Sequence, residues 1–162
     1  AIEKQDWTLM ASIWQKLPAK QRQTEDLLGP YVSGLVLQGE ESQAAVLIEA
    51  YLKKKWSDSL VYQYGGILHG SDILKRLATA EKWLKGREEN PWLLLTLGRL
   101  AQANKLWAKS EEYLRSSLDN GPRGETYQFL AEVLAADGKD ELVADMYQQG
   151  LAVMLKQEQK PV

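Results

Sequence analysis

Apolar residues recur at three- and four-residue steps along most of the chain. Trp7, Met10, Ile13, Trp14 and Leu17 form one such stripe, which stops before Pro18. A second runs from Leu27, Leu28 and Tyr31 to Leu35, and a third holds Val46, Leu47, Ala50 and Tyr51. This period puts the apolar side chains on one face of a helix, whereas a half-buried strand would alternate. Alternating runs are rare here, Val and Ile are sparse, and Leu, Ala, Gln, Glu and Lys dominate. Those residues lose little side-chain freedom in a helix. Breaks come at Pro18, Gly39, Gly65-Gly66, Gly70, Gly86, Asn90-Pro91, Asn120-Gly121-Pro122 and Asp137-Gly138. Their spacing predicts many helices of about 10–16 residues with tight links.

The helices repeat. When Leu94–Ala101 is laid over Tyr127–Leu134, Leu97 falls on Leu130 and Gly98 on Ala131. At the same lag Leu114 falls on Tyr147 and Leu118 on Leu151. A small residue at the Gly98 position lets a second helix come close. These positions resemble the tetratricopeptide repeat (TPR), a helix–turn–helix unit of about 34 residues. Leu94, Leu97, Gly98 and Ala101 match its first helix, Ser110, Leu114 and Ser117 its second, and Pro122 its closing proline. The next copy uses Tyr127, Leu130, Ala131 and Leu134, then Gly138 at the turn and Val143, Tyr147 and Gly150. Lys105 stands where the first copy would carry a turn glycine. The resemblance implies an all-α fold, a right-handed TPR-like solenoid of antiparallel helix pairs. The expected layout is a single domain over 1–162. It has a leading helix at about 6–17 and repeats at about 25–54, 58–88, 91–122 and 124–155, some nine helices in all.

Composition narrows the function. Twenty Lys and Arg against 22 Asp and Glu give a net charge of −2, with both signs mixed throughout. A duplex-binding domain needs clustered cations to displace counterions, so a nucleic-acid partner is disfavoured. No apolar run is longer than the five residues of Ala44–Ile48, far short of a membrane span. With no Cys, disulfides and thiolate metal sites are excluded.

A more specific resemblance rests on Asn90-Pro91-Trp92-Leu93-Leu94-Leu95-Thr96-Leu97-Gly98-Arg99-Leu100. It is supported by Leu106–Leu114, Ala80–Lys85 and Trp14-Gln15-Lys16-Leu17-Pro18. These segments are similar to the carboxy-terminal part of the HemY-type proteins of proteobacteria, which are tied to protoheme IX biogenesis. The resemblance covers roughly residues 5–155. It implies a TPR scaffold in a late step of haem biosynthesis, working with other proteins, late haem-biosynthesis enzymes among them. It also implies a longer chain anchored in the inner membrane, with this fragment on the cytoplasmic side. The opening Ala1-Ile2-Glu3, without an initiator Met, fits that expectation. The unrelated flavin-dependent oxidase that shares the HemY label is not the match, because no G-x-G-x-x-G fingerprint is present.

Candidate chemistry is thin. His69 is the only histidine. It reads either as a solvated loop residue between glycines or as an axial haem ligand, and no second ligand is evident. Met10, Met146 and Met154 sit at helical spacing, which favours packing over ligation. Adjacent carboxylates such as Glu40-Glu41 and Glu111-Glu112 diverge by about 100° on a helix and do not share a proton. No cofactor and no enzymatic chemistry is expected. Lys53-Lys54-Lys55 closes a helix, where cations suit the dipole; contact with anionic lipid is the functional alternative. Of the six Trp, Trp7, Trp14, Trp83 and Trp107 lie on apolar stripes and are expected in the core. Trp92 instead takes a TPR position that faces the groove, as do Leu95, Arg99 and Gln102. Glu125, Gln128, Phe129 and Glu132 do so in the next repeat. Trp and Arg are enriched at interface hot spots, so these residues form the candidate partner-binding groove. The Lys and Asn clamp of chaperone-binding TPRs is absent from matching positions. Alternatives are a direct porphyrin or haem carrier, or a TPR adaptor unrelated to haem.

Overall fold

The computed structural model describes residues 4–70 and 72–158. The ends of the expected 1–162 domain, residues 1–3 and 159–162, lie outside the described residues. The helices are α1 (Lys4–Lys16), α2 (Ala19–Arg22), α3 (Glu25–Leu37), α4 (Glu41–Leu52), α5 (Asp58–Tyr64), α6 (Ile73–Glu81), α7 (Pro91–Ala103), α8 (Trp107–Asn120), α9 (Gly124–Ala136) and α10 (Asp140–Glu158). A 3-10 turn, Lys82–Leu84, extends α6. The described residues contain no strand. The chain divides into two compact units, residues 1–70 and 71–162. The boundary cuts the expected repeat at 58–88: α5 lies in the first unit and α6 in the second. Three glycines, Gly65, Gly66 and Gly70, follow α5 before the boundary.

In the first unit α3 is central and packs against α1, α2, α4 and α5. The Trp14 ring stacks on Tyr31, centroids 4.0 Å apart and planes within 7°. Trp7 approaches the same Tyr31 at 5.5 Å. Gly34 makes room for this cluster, since a Cβ there would sit 2.5 Å from Met10 Cε and 2.6 Å from Trp7 Cζ3. Tyr64 is fully buried and donates its hydroxyl hydrogen to Glu49 Oε1 at 2.7 Å. Ser57 caps α5 by accepting from the Leu60 amide at 3.1 Å, the usual role of Ser before a helix. Short α2 follows Pro18 and is one helix more than the period predicts.

In the second unit the helices pack serially, α6 on α7, α7 along α8, α8 on α9 and α9 along α10. Asn90 caps α7 through its side chain, accepting from the Leu93 amide at 2.9 Å, and Pro91 opens the first turn. Proline suits that place because its missing N–H would be unsatisfied anyway. The α7–α8 pair is fixed at three points. Gly98 faces Leu114 so closely that a Cβ would lie 2.6 Å from both Cγ and Cδ2. Ser110 donates to the Gly98 carbonyl at 2.7 Å, and Ser117 to the Pro91 carbonyl at 2.8 Å. As the partner number rises on one helix it falls on the other, so the two run antiparallel. Lys105, in the turn between them, takes φ 59°, and Gly138 in the next turn φ 75°. The turn demands the left-handed region whichever residue occupies it, and Lys105 accepts the steric cost that glycine avoids.

The second copy departs from the first in its last helix. Leu114 is fully buried, but its counterpart Tyr147 is 45% exposed. Leu151 and Met154 are also exposed, while Met146 and Gly150 are the residues of α10 that turn inward. The reason is position in the series: within this unit α8 has α7 on one side and α9 on the other, whereas α10 packs principally on α9. Trp14 is core as expected, but Trp7, Trp83 and Trp107 are only half-buried. An indole is large enough that it is rarely enclosed completely.

A charged cluster joins α8 to the α9–α10 turn. Lys139 Nζ meets Glu111 at 2.7 Å and Asp137 at 2.8 Å, while Arg115 bonds Glu111 from one turn away. The hydrogen bond from Lys139, with help from Arg115, holds the Glu111 carboxyl below its ordinary value of 4.5. A lowered folded pKa stabilises the fold above the ordinary carboxylate value and loses that effect as the pH falls through the folded one. Glu111→Gln is therefore expected to unfold at lower urea than the parent at pH 7, by on the order of 0.2–1 kcal/mol. The two midpoints should converge in acid. An equal gap at pH 7 and below the carboxylate range would show that packing, not charge, distinguishes them.

Candidate protein-interaction face

The first helices of the last two repeats, α7 and α9, lie close enough to exchange side chains at three levels. At the first level the Arg123 guanidinium covers the Trp92 ring at 3.1 Å from its centroid. At the second, Arg99 lies over Phe129 at 4.9 Å. At the third, Gln102 donates to Glu132 Oε2 at 3.2 Å, and Gln128 donates to Oε1 of the same carboxylate at 3.1 Å. Each cross-helix pair joins a residue of α7 to one that lies two or three positions before its counterpart in the next repeat. Helical geometry makes this happen: Trp92 and Arg99 are seven residues apart, two turns along the same face.

Most of the residues expected in the groove therefore come together. Trp92, Arg99, Gln102, Glu125 and Glu132 are half-buried and Gln128 is exposed. Leu95 is a correction. It is fully buried, because it sits between Leu94 and Leu97 on an α7 whose residues 93–98 are all enclosed. It is core and not part of the surface. Trp92 is less open than expected, since one face of its indole carries Arg123. A cation over an aromatic face is worth about 0.5–1 kcal/mol at an accessible site. Arg123 is not among the residues that the repeat pattern marks. Its signal in the sequence is a cation at the start of a first helix, about one repeat length after the aromatic at the start of the previous one.

The other candidate groups do not gather. His69 is exposed, and its backbone amide donates to Glu41 Oε2 at 3.0 Å. Met146 is buried and Met10 half-buried, as packing residues would be, while Met154 is half exposed. Among the described residues no group of three or more His, Asp or Glu could hold a metal ion. No helix there is long and apolar enough to cross a membrane.

The sequence matches no family model and no curated protein. Its structure does have relatives. A crystal structure of MamA superposes with a TM-score of 0.67 at 12% identity, covering 97% of this chain and 94% of that one. MamA from Desulfovibrio magneticus RS-1, residues 41 to the end, superposes at 0.62 with 14% identity, covering 99% and 100%. At such identities the likeness is one of fold. The chain has a TPR-like helical-repeat fold. That fold supports binding to other proteins in general, since stacked helix pairs present extended surfaces.

Proposed function

We propose that this chain is a protein-interaction scaffold and that the α7–α9 face is its recognition surface. The observation that carries the reading is the three-level arrangement of Trp92–Arg123, Arg99–Phe129 and Gln102–Glu132–Gln128. It combines partly exposed aromatic area, guanidinium groups and a carboxylate held by two amides. Ordered side chains lose little further freedom when a partner docks, which favours affinity. A partner helix or extended segment could lay apolar residues on Trp92 and Phe129 and an acidic residue beside Arg99. The similarity of Asn90–Leu100 to HemY-type proteins supports placing such a scaffold in late haem biosynthesis, on the cytoplasmic side of an inner membrane. Partners would then include enzymes of that step.

Joint replacement of Trp92 and Arg99 by Ala tests the reading. Capture of a late haem-biosynthesis enzyme from a bacterial membrane extract should weaken by at least ~2 kcal/mol, the usual hot-spot threshold. Helical content should be unchanged. A double variant that captures the same enzyme undiminished but unfolds earlier would make these packing residues. Titration with protohaem separates the carrier alternative: a sharp Soret shift abolished by His69→Ala would favour a carrier over a scaffold.

A further inference from the structure

The first unit contains a half-open cavity of about 480 Å³ whose walls differ in chemistry. Its floor is apolar and aromatic: Trp14 from α1, Leu28 from α3 and Tyr51 from α4, all buried in the packed unit. Its rim is cationic, with Arg22 at the end of α2 and Lys54 and Lys55 just past α4. Among the described residues no Asp or Glu lines it. One detail suits the rim to an oxygen ligand. Lys54 Nζ is held across the rim by the neutral Gln23 side chain, at 3.3 Å. A neutral acceptor orders the ammonium without cancelling its field. Cavities of this size, mostly apolar with a few converging polar groups, suit small organic molecules.

We propose that this cavity binds an amphiphilic organic anion, with its carboxylate or phosphate on Arg22, Lys54 and Lys55 and its apolar body against Trp14, Leu28 and Tyr51. Guanidinium matches the geometry of such oxyanions, and the lysines add charge without directional demand. The short α2, absent from the regular repeat pattern, is what brings Arg22 to the rim. The site is independent of the α7–α9 face, whose residues all belong to the second unit.

The test uses dodecanoate and dodecyl phosphate below their micellar concentrations, with dodecyltrimethylammonium and inorganic phosphate as controls. Binding is followed by calorimetry and by the indole N–H resonances in nitrogen-15 spectra. Both anions should bind and shift the Trp14 indole signal selectively. Arg22→Gln with Lys55→Gln should weaken that binding at least tenfold while circular dichroism stays unchanged. Inorganic phosphate should bind far more weakly, because it has no apolar body. Vesicles containing phosphatidylglycerol distinguish the source: retention that depends on Arg22 would make the ligand a lipid, and its absence alongside tight dodecanoate binding a free metabolite. Equal affinity for the cationic surfactant, or anion binding indifferent to the double substitution, would overturn the proposal. A Trp14 signal that does not move would do so even if some binding were seen. Should the double variant fold poorly, Lys54→Gln alone and added salt should each weaken dodecanoate binding. Indifference to both would overturn the proposal just as firmly.

Discussion

Trp14→Ala is expected to destabilise the first unit by about 3–5 kcal/mol, the range for emptying a large aromatic site in a core. Trp14 is only 8% exposed and its ring lies flat on Tyr31 at 4.0 Å. The loss therefore combines buried area with an aromatic pairing worth about 0.5–1.5 kcal/mol beyond that area. Little can refill the space, because Trp7 already occupies another approach to Tyr31 and Gly34 is covered by Trp7 and Met10. Trp14→Phe keeps a ring on Tyr31 and should lose less than half as much. Urea unfolding followed by near-ultraviolet circular dichroism measures both. A loss below about 1 kcal/mol for the Ala variant would be an ordinary surface effect and would mean that α1 is not firmly docked on α3.

The second large effect is expected at the Gly98–Leu114 contact. Leu114 is fully buried, and Leu114→Ala should cost about 2–5 kcal/mol through lost transfer energy and a residual void. The opposite change, Gly98→Leu, should cost about 1–3 kcal/mol, because even the first added carbon meets Leu114 at 2.6 Å. The two defects differ in kind, so their combination should be milder than their sum: truncating Leu114 makes the room that the larger residue needs. Because α8 also packs on α9, each single variant should loosen α9 along with its own pair, visible as faster amide exchange in both helices. Strict additivity in the double variant would show that the residues do not touch.

The second unit is easier to read from sequence than the first. Between residues 91 and 136 the repeat is expressed by residues whose size is dictated by contact, Gly98 against Leu114 and Ser110 and Ser117 against carbonyls, so pattern and structure coincide. Lys105 is legible as a departure because the turn imposes a conformation that glycine prefers. In the first unit the cluster of Trp7, Trp14, Tyr31 and Gly34 follows no repeat lag, and periodicity assigns its members to a face without saying which rings meet. Short α2 carries no apolar stripe and casts no periodic signal. The same blindness affects Leu95 and α10. A position in a repeat predicts which way a side chain points, but burial depends on whether another helix lies in that direction. Leu95 is enclosed, whereas Tyr147, on the last helix of the series, is not. The interaction face is readable as positions, whereas its cross-helix pairs depend on Arg123 and on side-chain length, which spacing does not encode.

The two serine hydroxyls of α8 also have a mechanical meaning. Ser110 and Ser117 are fully enclosed and lie two turns apart on one face of α8, bonded to carbonyls two turns apart on α7. Sliding one helix past the other by a turn would leave both hydroxyls unpaired in an apolar seam, at about 1–3 kcal/mol each. It would also drive Leu114 off the glycine in the middle of α7. The pair thus behaves as a ratchet with one engaged tooth position. Trp92 and Arg99 ride on that locked rod about 10.5 Å apart along its axis. A partner meets them as a ruler of fixed length, able to reject a ligand whose apolar and acidic groups are spaced one turn too close or too far.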